Sequence, residues 1–254
     1  MHLIKTNTLT SNQYHDAATL INLCKANDST RGISFLEPEM NAIPEFPCFY
    51  LLYNGTTLVS LLSVFLPDDT QCEVYASTIP SERMNGYFGK LLSSAVNNLS
   101  NYGIKKIYIV NEPACTSGTN FLNSSPNVKF AYSEYLMKYN MDITPIPKEI
   151  LSIKVKKNEN TEEISSFFEN EEIGHLCIEH NRGVATIYGF VVEPNQRGKG
   201  FGTETLLLVL RHLIKSGCHK ILLQVNGANT AAHNMYSHHG FVSEEQIDYW
   251  QYTN

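Results

Sequence analysis

The feature that most constrains this 254-residue chain is that it repeats itself at a constant shift of 114 residues. At that shift Pro80 meets Pro194, Arg83 meets Arg197 and Gly86 meets Gly200, and further on Gly103 meets Gly217, Lys106 meets Lys220 and Ile107 meets Ile221. One offset held through a turn, a stretch of helical spacing and a β-branched run marks two copies of one α/β unit. The Pro145–Pro147 connection separates them, which predicts domains over 1–140 and 141–254.

The second copy carries the more informative stretch, residues 191–204. Ile187 to Val192 reads as a strand, and Pro194 and Asn195 stop it, because proline gives no N–H to a ladder and asparagine favours turns. Arg197 and the alternating Gly198, Gly200 and Gly202 follow. From Thr203, Leu206, Leu207, Leu210, Leu213 and Ile214 have the spacing of a helix face. A turn without Cβ atoms at a helix N-terminus lets several N–H groups converge where the macrodipole is positive, and such turns bind phosphate. The dinucleotide pattern G-x-G-x-x-G fails at Thr203, and the G-x-x-x-x-G-K-[ST] pattern fails on both sides of Lys199. The pattern that fits is R-x-x-G-x-G, in Arg197, Gly200 and Gly202.

That loop resembles the pyrophosphate-binding loop of the GNAT superfamily of N-acetyltransferases. The segment Asn229 to Phe241 resembles the same family's N-x-x-A-x-x-x-Y-x-x-x-G-F helix through Asn229, Ala232, Tyr236, Gly240 and Phe241. The resemblance covers residues 150–254 well and residues 1–140 in outline. It implies two GNAT-like domains in tandem, with a mixed, mostly antiparallel sheet flanked by helices, and acetyl-CoA as cosubstrate. It implies that Arg197, Gly198, Lys199, Gly200, Gly202 and Thr203 hold the diphosphate. The backbone of Val191 and Val192, exposed where two parallel strands splay, would meet the thioester and pantetheine, and Asn229 would bond the pantetheine arm. Tyr236 would return a proton to the leaving thiolate, as a phenol of pKa ~10 beside a thiol of pKa ~8.5 can; it also reads as a core tyrosine. The base that deprotonates the amine is open among Glu179, Glu193 and Tyr188, each of which also reads as a surface or packing residue.

The first copy departs where chemistry would sit. Phe88 replaces Gly202, and Glu82 stands beside the turn. A benzyl group would fill space the diphosphate needs, and an acid repels phosphate. The first copy is therefore expected to have lost coenzyme binding. It either shapes the acceptor site or only buries surface of the second copy.

The remaining observations exclude whole classes. A net charge of −6, with neither half polybasic, argues against nucleic acid as partner. No run approaches 18 apolar residues, so no membrane partner is expected, and no signal-like apolar segment opens the chain. The six cysteines form no C-x-x-C pair and read as free thiols of a cytoplasmic protein. No metal is expected: His238 and His239 point apart at a helix end, and His175 and His180 face opposite sides of one strand. The acceptor reads as a small-molecule or peptide amine. A non-catalytic acyl-CoA-binding regulator is the alternative, and a nucleotide hydrolase lacks acidic metal ligands.

Elsewhere, the sequence predicts a helix capped by Ser11 or Asn12 with Tyr14, Ala17, Ala18, Ile21 and Cys24 inward, then an irregular stretch over 28–47 containing Gly32. It predicts a hairpin about Asn54-Gly55, a helix over 87–101, and a short helix over 161–168.

Overall fold

The computed structural model describes residues 1–31 and 34–253; Gly32 lies outside them. The chain forms two compact α/β units. One comprises Met1–Ser133 and the C-terminal stretch from Ile247, the other Glu134–Gln246.

The first unit opens with a strand absent from the sequence reading, β1 (His2–Thr6), then α1 (Ser11–Asp28). Thr10, not Ser11 or Asn12, caps α1: its hydroxyl accepts from Gln13 N at 3.3 Å, and Gln13 Oε1 accepts from Thr10 N at 2.9 Å. This reciprocal pair satisfies two donors that the first turn leaves open. The helix buries Ala17, Leu20, Ile21 and Cys24 and leaves Tyr14 exposed. The hairpin follows as β2 (Phe49–Asn54) and β3 (Thr57–Phe65), then β4 (Gln71–Thr78), α2 (Tyr87–Asn101), β5 (Lys106–Asn111), α3 (Thr116–Ser124) and β6 (Val128–Tyr139).

The second unit continues with β7 (Ser152–Lys157), β8 (Thr161–Phe168), β9 (Glu171–Asn181), β10 (Val184–Val192), α4 (Phe201–Lys215), β11 (Lys220–Asn226), α5 (Thr230–His238) and β12 (Phe241–Tyr252). Residues 161–168 are thus a strand and not a helix. Glu162, Ile164 and Ser166 are buried in alternation, the period of a strand with one face inward. The buried Glu162 carboxylate is satisfied by His212 Nε2 at 2.7 Å and Lys157 Nζ at 3.0 Å. Burial raises its pKa, but its hydrogen bonds with His212 and Lys157 and the Lys157 charge hold it below the ordinary value.

The 114-residue shift survives in three dimensions. Helices α2 and α4 have the same length at that offset, as do α3 and α5. Both turns ahead of α2 and α4 are single 3₁₀ turns, Pro80–Glu82 and Pro194–Gln196. The copies part at their starts and at the bulge of the fourth strand, which the second copy has and the first lacks. Residues 7–48, with α1, lie between β1 and β2, whereas residues 158–160 alone join β7 to β8.

The last strand of each copy is divided. Strand β6 pairs with β11 from Glu134 to Lys138, and β12 pairs with β5 from Asp248 to Tyr252. Within the first unit the strand order is β1-β2-β3-β4-β5-β12-β6, and within the second β7-β8-β9-β10-β11-β6-β12. The compact units thus change over at Ser133/Glu134 and Gln246/Ile247, while the linear repeat changes over near residue 140. No helix among the described residues is long and apolar enough to cross a membrane.

Each unit has its own apolar core. In the second, Leu206, Val209, Leu210 and Leu213 of α4 pack on Leu176, Ile178, Ala185 and Ile187. Glu204, 3% exposed, fixes the connection to this helix: its carboxylate accepts from the backbone N–H of Lys148, Glu149 and Ile150 at 2.9, 2.6 and 3.3 Å. Glu204→Ala would leave those donors without an acceptor and should cost roughly 2–4 kcal/mol, read by denaturant unfolding. Lys90→Ala at the corresponding exposed position of α2 should cost almost nothing.

Candidate active site

The site is built where β10 leaves β11. The two are parallel partners from Val184–Lys220 to Ile187–Leu223 and no further. Strand β10 then takes a bulge between Tyr188 and Val191, with Gly189 at φ +61°, and stays with β9, while β11 continues along β6. A gap therefore opens at the C-terminal end of the parallel pair, with backbone groups on its edges. Gly189 inside an apolar run was the available sequence sign of this bulge.

Strand alternation fixes which amides face the gap. Glu193 donates to Ile173 O at 2.9 Å, and Val191 stands opposite His175 in the same register. Val191 therefore turns its N–H to β9, and Val192 turns its N–H to the gap. Of the two valines expected at the site, Val192 is the one whose amide faces it. Gly174, opposite Val192, permits close approach there: a Cβ would lie 2.5 Å from Val191 O.

Past the strand, Gly198 (φ +76°) and Gly200 (φ +83°) take the left-handed conformation, and Gly200 is the N-cap of α4. A Cβ at either would meet nothing within 4 Å, so the backbone angle and not space calls for glycine. The N–H groups of the first turn, including Gly202 and Thr203, have no carbonyl in their own helix. Arg197 ties this loop to the strand: its Nε donates to Val192 O at 2.9 Å, while its terminal nitrogens make no hydrogen bond among the described residues. Lys199 Nζ donates to Gln196 Oε1 at 2.8 Å. Gly202 faces Met235 Sδ and Val192 Cγ2, which a Cβ would touch at 3.5 Å.

Asn229 is the N-cap of α5 and accepts from Ala232 N at 3.2 Å through its side-chain oxygen, leaving its amide hydrogens to point elsewhere. Tyr236, 6% exposed, packs within the core, its ring 5.8 Å from that of Phe241. Burial pushes the phenol up to about 12, so it stays protonated at neutral pH and is a weaker acid than an ordinary tyrosine. Glu179 and Tyr188 lie on the sheet face away from α4, with Glu179 paired to Thr186 and Tyr188 to Cys177. Burial first, then Cys177, Glu179 and Glu163, raises the Tyr188 pKa. Glu193 is exposed just ahead of the loop. Among the described residues no group of three or more His, Cys, Asp or Glu is placed to hold a metal.

The first unit keeps the parting strands and the left-handed turn, without the strand bulge, and changes the side chains. Strands β4 and β5 are parallel partners from Gln71–Lys106 to Val74–Ile109 and then part. Met84 (φ +68°) and Gly86 (φ +76°) reproduce the two left-handed positions, although Met84 is not glycine and is 98% exposed. Arg83 Nε donates to Thr78 O at 3.3 Å, the counterpart of the Arg197 bond. The rest of the Arg83 guanidinium is engaged. It binds Asp28 at the end of α1 with two bonds, 2.8 and 2.6 Å, and Ser117 Oγ at 2.8 Å. This pairing holds the Asp28 carboxyl below the usual range. Phe88 packs edge-on against Phe121, centroids 5.0 Å apart. Leu122 and Cys115 stand where the second unit has Tyr236 and Asn229.

Comparison with known proteins gives this arrangement a family. Residues 133–241 match the model of the acetyltransferase (GNAT) family. That part of the chain is a GNAT-family domain. A curated relative, mycothiol acetyltransferase from Saccharopolyspora erythraea, is 37% identical over 57 residues; the match spans 22% of this chain and about a fifth of the relative's length. Among solved structures, a GCN5-related N-acetyltransferase from Sphaerobacter thermophilus aligns over 98% of this chain and 95% of its own, with TM-score 0.76 at 12% identity. A tandem GNAT protein from the clavulanic acid biosynthesis pathway aligns over 98% of both chains, with TM-score 0.63 at 12% identity. These likenesses extend the fold to the whole chain: two GNAT-like α/β units in tandem.

Gly202→Phe tests the contrast between the loops. The new ring has Met235 to pack on, as Phe88 has Phe121, so the melting temperature should change little. Calorimetric binding of coenzyme A should be lost; unchanged affinity would overturn the assignment of the loop.

Proposed function

We propose that the second unit transfers the acetyl group of acetyl-CoA to a primary amine of a small molecule or peptide by direct attack. The observation that carries this reading is the conjunction at one end of β10: a gap with the Val192 amide on its edge, a left-handed glycine turn, and an arginine with unengaged donors. The first-turn amides, Arg197 and Lys199 would hold the diphosphate, and the Asn229 amide would bond the pantetheine arm.

A neutral amine attacks the thioester carbonyl. The developing oxyanion would be met by the Val192 N–H, a donor fixed before the reaction begins. The carbon–sulfur bond then breaks, and Tyr236 serves the departing sulfur. A phenol near 12 beside a thiolate whose conjugate acid has pKa ~8.5 keeps its proton and stabilises the departing sulfur by donating a hydrogen bond, and the thiolate takes its proton from water. The amine's proton leaves to water through one of Glu179, Glu193 or Tyr188. The curated relative is named for mycothiol, but a match over 57 residues does not carry an acceptor to this chain.

The high Tyr236 pKa also favours a second reading, a non-catalytic protein that binds acyl-CoA and does not turn it over. Thiol release from acetyl-CoA with a panel of primary amines separates the two. Under the catalytic reading, at least one amine supports release, and Tyr236→Phe lowers kcat by about tenfold or more with little change in coenzyme affinity. Coenzyme binding without release for any amine would favour the regulator, and equal turnover in the variant would remove the role given to Tyr236.

A further inference from the structure

A cavity of about 350 Å³ lies in the first unit, within the range of roughly 300–1,000 Å³ typical of small-molecule sites. It occupies the gap where β4 and β5 part, and α1, which has no counterpart in the second unit, supplies one wall through Ile21, Cys24 and Asp28. We propose that this cavity binds an uncharged aromatic small molecule, and neither the coenzyme nor an ionic ligand. The proposal rests on the walls of the first unit alone and holds whether or not the second unit transfers acetyl groups.

The rings on the wall favour an aromatic ligand. Tyr75, Tyr87, Phe88 and Phe121 line the cavity together with Ile109 and Leu122, and Phe88 meets Phe121 edge-on at 81°. Such rings accept a further planar ring stacked or edge-on, which adds a preference of geometry to the burial of apolar area.

The charged groups on the same wall are answered by the protein itself. Asp28 and Arg83 bind one another at 2.6 Å, and Glu112 accepts from Arg31 N at 2.9 Å. Glu82 accepts from Asn85 Nδ2 at 3.3 Å and from Tyr87 Oη at 3.4 Å. Glu82 and Lys25, both on the lining, are opposite in sign, so no surplus of either charge is left to hold an ion. An ion entering this apolar space would lose its hydration without a counter-charge in return, which is costly, whereas an uncharged ring loses nothing of the kind.

The same contacts turn the coenzyme away. The donors of Arg83 that correspond to the unengaged nitrogens of Arg197 are held by Asp28 and Ser117. Phe88 with Phe121 covers the ground that Gly202 leaves open. The backbone turn is kept, but a ring stands in its opening.

The test is calorimetry on the full chain with tryptophol, which is uncharged, and with tryptamine and indolepropionate, which carry the same ring and a positive or a negative end. Tryptophol should bind saturably, and competition against bound tryptophol compares the three ligands at one site. Tryptamine and indolepropionate should each compete with an affinity about tenfold or more below that of tryptophol, and saturating coenzyme A should not displace it. Ala76→Trp, which fills the cavity from β4, and Phe121→Ala, which removes a ring from its wall, should each weaken tryptophol by about tenfold or more. No saturable heat, equal competition by either charged analogue, displacement by coenzyme A, or affinity unchanged in folded Ala76→Trp would each overturn the proposal. If circular dichroism shows that Ala76→Trp does not fold, Phe121→Ala decides: unchanged affinity overturns it.

Discussion

A parallel strand pair that stops pairing after four residues is the constraint on which the rest depends. A regular ladder would engage the amide of Val192 with β11 and leave nothing to offer a ligand. Because β10 turns with β9 through the bulge at Gly189, and β11 follows β6, that amide faces a gap. The left-handed turn at Gly198 and Gly200 then starts a helix at the end of the same strand, and the Arg197–Val192 bond keeps turn and strand together. The backbone thus lines up donors along one path, from the helix N-terminus to the gap, before any ligand arrives.

The two units show how little of this depends on the turn alone. Both have the parting strands, the 3₁₀ turn, the two left-handed residues and the arginine bonded to the strand's last carbonyl. What separates them is what the arginine meets next. Arg83 faces Asp28, delivered by a helix the second unit lacks, and its charge is cancelled in place. The duplicated turn has kept its shape while one added helix cancels the charge of its arginine and one phenyl ring occupies its opening. Met84 at φ +68° illustrates the persistence of that shape, since a left-handed conformation without glycine is disfavoured by about 1–2 kcal/mol.

The parts legible in the sequence were those written in local signals. The helix from Tyr87 to Asn101 and the glycine turn each follow from residues close together in the chain, and the 114-residue repeat from matching such local stretches with one another. The hydrophobic period of 161–168 was ambiguous over so short a run, and the strand is decided by pairing with β7 and β9. The division of β6 and β12 between units is a matter of long-range partners, as is the Asp28–Arg83 bond across 55 residues of chain. Thr10 competes as a cap with two cap-competent residues that follow it, and Gln13 three positions on marks it as half of the reciprocal pair. The burial that makes Tyr236 so weak an acid could not be read from its motif.

Amide hydrogen exchange with and without saturating coenzyme A tests the central claim most directly, because it reports on the backbone donors themselves. Slowed exchange over residues 191–203, with residues 84–89 unchanged, is the predicted result. Protection over 84–89, or no protection in either turn, would contradict the account.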